Sequence, residues 1–247
     1  MKNLSILKFG GTSVSSEEKI NRIIEIAKKK LNNNEKIIIV VSAMGRYPDN
    51  YATDTLLSNL NEEFIKENKQ ATDLLMSCGE IISAVTIASK FVHNNINAIP
   101  VTGGAAGIIT DNKFNEATPI KYKPHYLKKI LKENKVPIVT GFQGVTTHNI
   151  ITTLGRGGSD TTATILADML NAEKVEIYTD VDGIYDKDPK TNKNAKIYEK
   201  LTYQEAYDLS IKGAKVIHEK AIKYAAKKNI PIIIKNTMSD SKGTIIN

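Results

Sequence analysis

Short runs of uninterrupted apolar residues alternate along this chain with longer stretches in which apolar positions recur every three or four residues. Leu4-Ser5-Ile6-Leu7-Lys8-Phe9 reads as a buried strand halted by Gly10-Gly11. Ser15, with Glu18 three residues on, has the form of a capping box, and Ile20, Ile23, Ile24, Ala27 and Leu31 carry a helix forward to Asn32-Asn33-Asn34. Residues 36–41 form a second strand, whose unbroken apolar run suits a parallel strand covered on both faces. After a loop at 42–52, Thr53 opens a helical stretch through Leu56, Leu57 and Leu60, and a longer helix is expected over 71–94. A short strand at 98–101 is followed by Gly103, Gly104 and Gly107, which mark a flexible connection. An amphipathic helix then spans 122–134 and a strand 136–140 runs into Gly141.

The second half repeats the alternation. A strand at 151–154 leads through a glycine-rich turn into a helix carrying Ile165, Leu166, Met169 and Leu170, and a strand follows at 175–179. The strand ends at Asp180-Val181-Asp182-Gly183, and the segment from there to Asn194 is too polar to be core; helices at 202–209 and 214–228 then precede a strand at 231–235. Alternating strands and helices predict an α/β fold, with a mainly parallel sheet covered by helices on both faces and glycine-rich strand ends gathered at one edge, where open α/β folds hold their ligands. With no linker-like stretch and no repeat, 247 residues are expected to fold as one domain.

Composition narrows the function. Hydrophobic residues at 41% and charged residues at 25% exclude wholesale disorder and fibrous repeats. Met1-Lys2-Asn3-Leu4 runs into a strand without the succession of a signal peptide, and no apolar run approaches membrane-spanning length. Cys78 is the single cysteine, so an intramolecular disulfide and a thiolate metal cluster are excluded; a reducing cytosol fits, and Cys78 is expected as a small buried hydrophobe. The net charge of +7 comes from lysines scattered among acids, with only Arg22, Arg46 and Arg156 as arginines. That pattern lacks the arginine stripe with interleaved aromatics of a nucleic-acid binder, and leaves a nucleoside triphosphate as the candidate anion.

Three constellations carry chemistry. Lys8 stands inside an apolar strand just before Gly10-Gly11, where its charge needs either an anionic partner, such as a phosphate, or an edge position in water. The Gly-Lys-Ser/Thr ending of a Walker A loop is missing. Gly155-Arg156-Gly157-Gly158-Ser159-Asp160 lies again between strand and helix: an arginine fork can grip a carboxylate, while Asp160 can orient a lysine or metal-bound water, or cap the helix. The acids from Asp180 to Asp188 lack the alternation and distal glutamate of a calcium loop; with Tyr185 and nearby lysines they suit a nucleotide base and its phosphates. Glu80, beginning an apolar helical stretch, can cap that helix or face a ligand.

Lys8-Phe9-Gly10-Gly11-Thr12-Ser13-Val14, Val41-Ser42-Ala43-Met44-Gly45, Ser77-Cys78-Gly79-Glu80, Thr140-Gly141-Phe142-Gln143-Gly144, the run from Thr152 to Thr161 and that from Tyr178 to Tyr185 occur in an order that resembles the aspartokinases of the amino acid kinase family over nearly the whole chain. The resemblance implies a three-layer αβα sandwich with a mainly parallel central sheet, the amino acid kinase or carbamate kinase-like fold, filling residues 1–247 as a catalytic domain. It implies transfer of the ATP γ-phosphoryl to the side-chain carboxylate of L-aspartate with Mg2+, the first step toward lysine, threonine and methionine, in a cytoplasmic enzyme with no nucleic-acid or membrane partner.

By the same resemblance Lys8 and Asp160 form the catalytic pair, with no direct protein ligand to the metal assigned. Gly10, Gly11 and Ser13 cradle phosphates. Ser42, Thr53, Glu80, Arg156, Gly157, Gly158 and Ser159 hold aspartate, with Arg156 on its α-carboxylate and Glu80 on its ammonium. ATP lies against Thr179, Asp180, Tyr185, Lys190 and Lys215. A homodimer, or partnership with a regulatory subunit, is the implied assembly. The sequence departs from the family at Lys190, Glu219 and Lys220, where arginine, proline and arginine are usual, and ends at Asn247, where relatives commonly continue into paired ACT regulatory domains. The alternatives are another acceptor (acetylglutamate, glutamate, carbamate or a nucleoside monophosphate) and a catalytically silent nucleotide or amino-acid sensor.

Overall fold

The structure is a computed structural model describing residues 3–187, 189, 191–192, 194–213 and 216–247. In chain order the first half comprises β1 (Leu4–Phe9), α1 (Glu17–Asn32), β2 (Lys36–Val41), α2 (Thr53–Leu57), α3 (Glu62–Glu67), α4 (Lys69–His93), β3 (Ala98–Val101), β4 (Ile108–Thr110) and β5 (Pro119–Tyr122). The second half comprises α5 (His125–Lys132), β6 (Val136–Thr140), β7 (Gln143–Val145), β8 (Ile151–Thr153), α6 (Gly158–Leu170), β9 (Lys174–Thr179), β10 (Lys200–Leu201), α7 (Tyr203–Ile211), α8 (Glu219–Lys228), β11 (Ile232–Asn236) and β12 (Thr244–Ile246).

Eight strands form the main sheet in the order β10-β12-β11-β9-β1-β2-β6-β3, and among these pairs only β11 with β12 is antiparallel. The unbroken apolar strands are explained by coverage on both faces. Leu7, Phe9, Ile37, Ile39 and Val41 pack against Ile20, Ile23 and Ile24 of α1 and Ile87 and Phe91 of α4. Their neighbours Leu4, Ile6, Ile38 and Val40 face the opposite way, toward Ala163, Leu166 and Leu170 of α6 and Ile222 of α8. Side chains alternate across a strand, so Lys8 shares the α6 face with Leu4 and Ile6. That parity positions the site.

The predicted βα order and the mainly parallel sheet are present, with corrections. The capping residue of α1 is Ser16, whose side chain accepts from Lys19 N; residues 11–14 form a 3-10 turn, and Ser15 Oγ instead donates to Thr12 O. Tyr122 ends a strand rather than starting a helix, and α8 begins at Glu219 rather than 214. The segment 103–107 is a tight turn packed against Gln143 and Val145 rather than a flexible connection, and Ile184, in the stretch read as too polar for core, is buried. A second sheet of four short strands, β5-β4-β7-β8, was not foreseen, and it takes β8 away from the main sheet. Cys78 is half-buried, not fully buried as expected.

α4 also corrects the search for long apolar segments. At 25 residues it is long and apolar enough to cross a membrane by length and composition, although half of its most apolar window is buried inside the protein. It carries the buried carboxylates Asp73 and Glu80 toward the sheets.

Candidate active site

Strand ends, the starts of α2 and α6 and one face of α4 line a cavity of about 570 Å³. β1 contributes Lys8 and then Gly11; β2 runs into Ser42, Ala43, Gly45 and Arg46; α6 opens on Gly158, Ser159 and Asp160; and α4 turns Thr72, Met76 and Glu80 inward. Gly45 N donates to Gly11 O at 3.0 Å, so the two glycine turns brace each other. Gly11 admits no side chain, because a Cβ there would lie 2.7 Å from the carbonyl oxygens of both Ala43 and Gly45.

At the floor, Lys8 Nζ lies 2.6 Å from Asp160 Oδ1, with side-chain exposures of 12% and 11%. The sequence left open whether Lys8 met an anion or water; here its partner is Asp160 of α6, the helix its strand parity makes it face. Asp160 Oδ2 accepts from His218 N at 3.3 Å. Asp160 sits within the first turn of α6 but makes no capping hydrogen bond, and the N-cap position is Gly157 at φ 70°. Gly157 is obligatory there on two counts: the left-handed backbone, and the His218 ring, which occupies the space a Cβ would need. The start of a 13-residue helix directs amide groups and its positive dipole end toward the cavity.

The opposite wall is different. Glu80 stands in the middle of α4, so it cannot cap that helix. It is 3% exposed; one carboxylate oxygen accepts from Ala43 N at 3.0 Å, and the other has no hydrogen-bond partner among the described residues. Burial pushes its carboxyl up to about 8, only partly countered by the Ala43 hydrogen bond. Arg156 is exposed on the lining, at the turn between β8 and α6.

Of the residues predicted from sequence, Lys8, Gly11, Ser42, Thr53, Glu80, Arg156, Gly157, Gly158, Ser159 and Asp160 all line this one cavity. Gly10 lies beside it, 3.6 Å from Lys8 Nζ as measured from the Cβ position it lacks. Ser13 does not reach it: its hydroxyl is buried 2.7 Å from Thr237 Oγ1. Thr179 and Asp180 stand outside this lining at the end of β9, next to the Gly10 turn through Gly10 N to Tyr178 O at 3.4 Å, and Tyr185 lies further along the chain, also off the lining. There Thr179 Oγ1 donates to Asp180, and Tyr185 bridges to Ile197. Lys190 and Lys215 lie outside the described residues. Of the departures, Glu219 places its carboxylate 3.2 Å from His218 Nδ1, and Lys220 reaches toward Gly155. Sequence reasoning missed Arg46, Asp54, Asn115 and Phe142 on the lining. For Arg46 a signal existed, since Gly45-Arg46 follows a strand end as Gly155-Arg156 does.

Among the described residues no group of three His, Cys, Asp or Glu side chains is placed to hold a metal ion. Asp160, on the cavity lining, is already engaged by Lys8 and His218 N.

The chain is 39% identical over 241 residues to aspartokinase 1 of Bacillus subtilis, covering 98% of this chain and 60% of that relative. It thus spans about 60% of the length of the curated relative it matches. The aspartate kinase structure from Synechocystis superposes with a TM-score of 0.85 at 35% identity, covering 98% of this chain and 39% of that one. The E. coli aspartokinase III complex with aspartate and ADP superposes at 0.82 with 26% identity, covering 98% and 64%. Residues 3–236 match the model of the amino acid kinase family, and the chain belongs to that family.

Proposed function

We propose that the protein is an aspartate kinase domain, transferring the γ-phosphoryl of ATP to the side-chain carboxylate of L-aspartate to give 4-phospho-L-aspartate and ADP. The observation that carries this reading is the charge layout of one cavity: a Lys8–Asp160 pair beside two glycine turns and a helix start, faced by a cationic fork at Arg156 and a buried carboxyl at Glu80 with one oxygen unpartnered. A zwitterionic amino acid matches that layout, its α-carboxylate on Arg156 and its ammonium on Glu80.

The acceptor carboxylate is ionised at neutral pH, so no general base is needed, and catalysis reduces to positioning and charge neutralisation. As the γ-phosphorus bond to the bridging oxygen breaks and a carboxylate oxygen bonds to phosphorus, Lys8 neutralises charge on the transferring group and Asp160 holds Lys8 in place. The amide groups of Gly11 and of the opening turn of α6 offer hydrogen bonds to phosphate oxygens. Magnesium, when bound with the nucleotide, would add charge neutralisation at the phosphates. The names of the aspartokinase relatives, one of them solved with aspartate and ADP, support the same substrates.

Coupled ADP release with L-aspartate, acetylglutamate, glutamate, carbamate and nucleoside monophosphates as acceptors tests the proposal. Turnover preferring aspartate is expected. Preference for another acceptor, or no turnover with any, overturns it.

A further inference from the structure

Asp73, on α4 two turns before Glu80, takes no part in the chemistry described above, yet it is fully buried with 0% exposure. Among the described residues it forms no ion pair. Its carboxylate is instead surrounded by neutral donors from two different segments. Thr153 N donates to Oδ2 at 2.9 Å and Thr153 Oγ1 to Oδ1 at 2.6 Å. Asn115 N donates to both oxygens at 3.1 and 3.0 Å, and Asn115 Nδ2 to Oδ1 at 2.7 Å. Thr153 closes β8 and stands three residues before Arg156, and Asn115 lies on the loop joining β4 to β5.

The two segments also touch each other. Ala117 N donates to Thr153 O at 2.8 Å, and the carbonyl oxygen of Asn115 lies 3.1 Å from the position a Cβ on Gly155 would take. Asn115 itself has φ 69°, a left-handed backbone held in place as its N–H and side-chain amide donate to the Asp73 carboxylate. The Asn115 loop therefore lies directly behind the glycine that precedes Arg156, and both are anchored to one buried carboxylate. Further along the same face of α4, Ser77 O accepts from Gln143 Nε2 at 2.7 Å and Glu80 accepts from Ala43 N.

We infer that Asp73 is a positioning residue for the acceptor site: it ties the Asn115 loop and the end of β8 to α4, and so fixes the turn that presents Arg156 at a set distance from Glu80, two turns away on the same helix. The inference rests on the proposed aspartate kinase reading. A buried carboxylate satisfied only by main-chain and neutral side-chain donors is replaced poorly by an amide, because an amide offers one acceptor oxygen and sets two N–H donors against donors already present.

The test is steady-state kinetics with both substrates varied, on wild type, Asp73→Asn, Thr153→Val and Thr153→Ser. Wild type must first release ADP with aspartate. If it does not, the functional reading fails and the inference falls with it, before any variant is compared. With wild type active, Asp73→Asn is expected to raise KM for aspartate about tenfold while KM for ATP stays within about twofold. Thr153→Val, which removes one donor, is expected to raise KM for aspartate about threefold, and Thr153→Ser, which keeps the hydroxyl, to restore the wild-type value. A fall in kcat and thermal stability with KM for aspartate unchanged marks Asp73 as structural only and overturns the inference. If Asp73→Asn is insoluble, the Thr153 pair decides: equal KM values for Val and Ser overturn it.

Discussion

The two walls of the cavity handle buried charge in opposite ways. On the wall made by β1 and α6, the Lys8 ammonium and the Asp160 carboxylate face each other at 2.6 Å, and a main-chain amide takes the second carboxylate oxygen. On the wall made by α4, Glu80 is more deeply buried and has one hydrogen bond where two oxygens need partners. The first wall is balanced in charge without substrate, Asp160 Oδ1 meeting Lys8 as an ion pair rather than through an aligned hydrogen bond. The second keeps its carboxyl protonated until a ligand brings a positive charge that draws the ionised form. On the proposed function this divides the labour: charge neutralisation for the phosphoryl group is preorganised, while recognition is coupled to the arrival of the acceptor.

Removing Lys8 strikes the complete wall and has the largest expected effect. Lys8→Ala strips the transferring group of its cation and leaves Asp160 unpaired, so kcat is expected to fall by about a thousandfold or more, with KM for aspartate within a fewfold of wild type. A tenfold loss or less, measured at saturating substrates, would show that the pair is structural. Next is Arg156→Ala on the recognition side, expected to raise KM for aspartate about a hundredfold while sparing KM for ATP. Equal rises in both constants would place Arg156 on the nucleotide instead.

Glu80→Gln is expected to raise KM for aspartate about tenfold, and it carries a pH signature. In the folded protein Glu80 titrates at about 8 rather than 4.5. Between those values the native state keeps a proton that the unfolded chain has released, so Glu80 lowers stability progressively as pH rises through this window and no further above it. Urea unfolding of wild type and Glu80→Gln from pH 5 to 8.5 should show the variant gaining on wild type by up to a few kcal/mol, order of magnitude. A pH-independent difference would mean that Glu80 is ionised throughout this range and that the second wall does not hold its carboxyl protonated. The smallest effect belongs away from both walls: Ser16→Ala removes the cap of α1, should cost about 1 kcal/mol in thermal unfolding, and should leave all kinetic constants unchanged.

Much of this division could be read from sequence, and where it could not the reasons are physical. The main sheet was legible because strands buried on both faces must be continuously apolar, as 36–41 and 136–140 are. The second sheet was not: 151–154 reads as a strand, but Gln143–Val145 beside it and Ile108–Thr110 beyond are three residues long, too short for any period to show, so nothing assigned it to a sheet of its own. Ser15 and Ser16 are both competent caps, and which is used depends on the 3-10 turn that precedes them. Lys8 and Arg156 announce themselves as charges in apolar or glycine-rich surroundings. For Glu80 the spacing left cap and ligand both open; only the resemblance assigned it to the substrate, and its place in the middle of α4 removes the cap. Asp73 gave no local signal at all, because its partners lie 42 and 80 residues away.

β12 lies between β10 and β11, pairing parallel with the first and antiparallel with the second, and Thr244 Oγ1 both accepts from Ile184 N and donates to Tyr198 O. On the ribosome, then, this sheet cannot be finished in the order it is made. Until residues 244–246 are available, β11 presents an unpaired edge and β10 has no neighbour, so the growing chain carries an open flank between the making of these strands and that of β12. That flank is where a chaperone would be needed, and where a stalled or prematurely ended chain would be expected to aggregate.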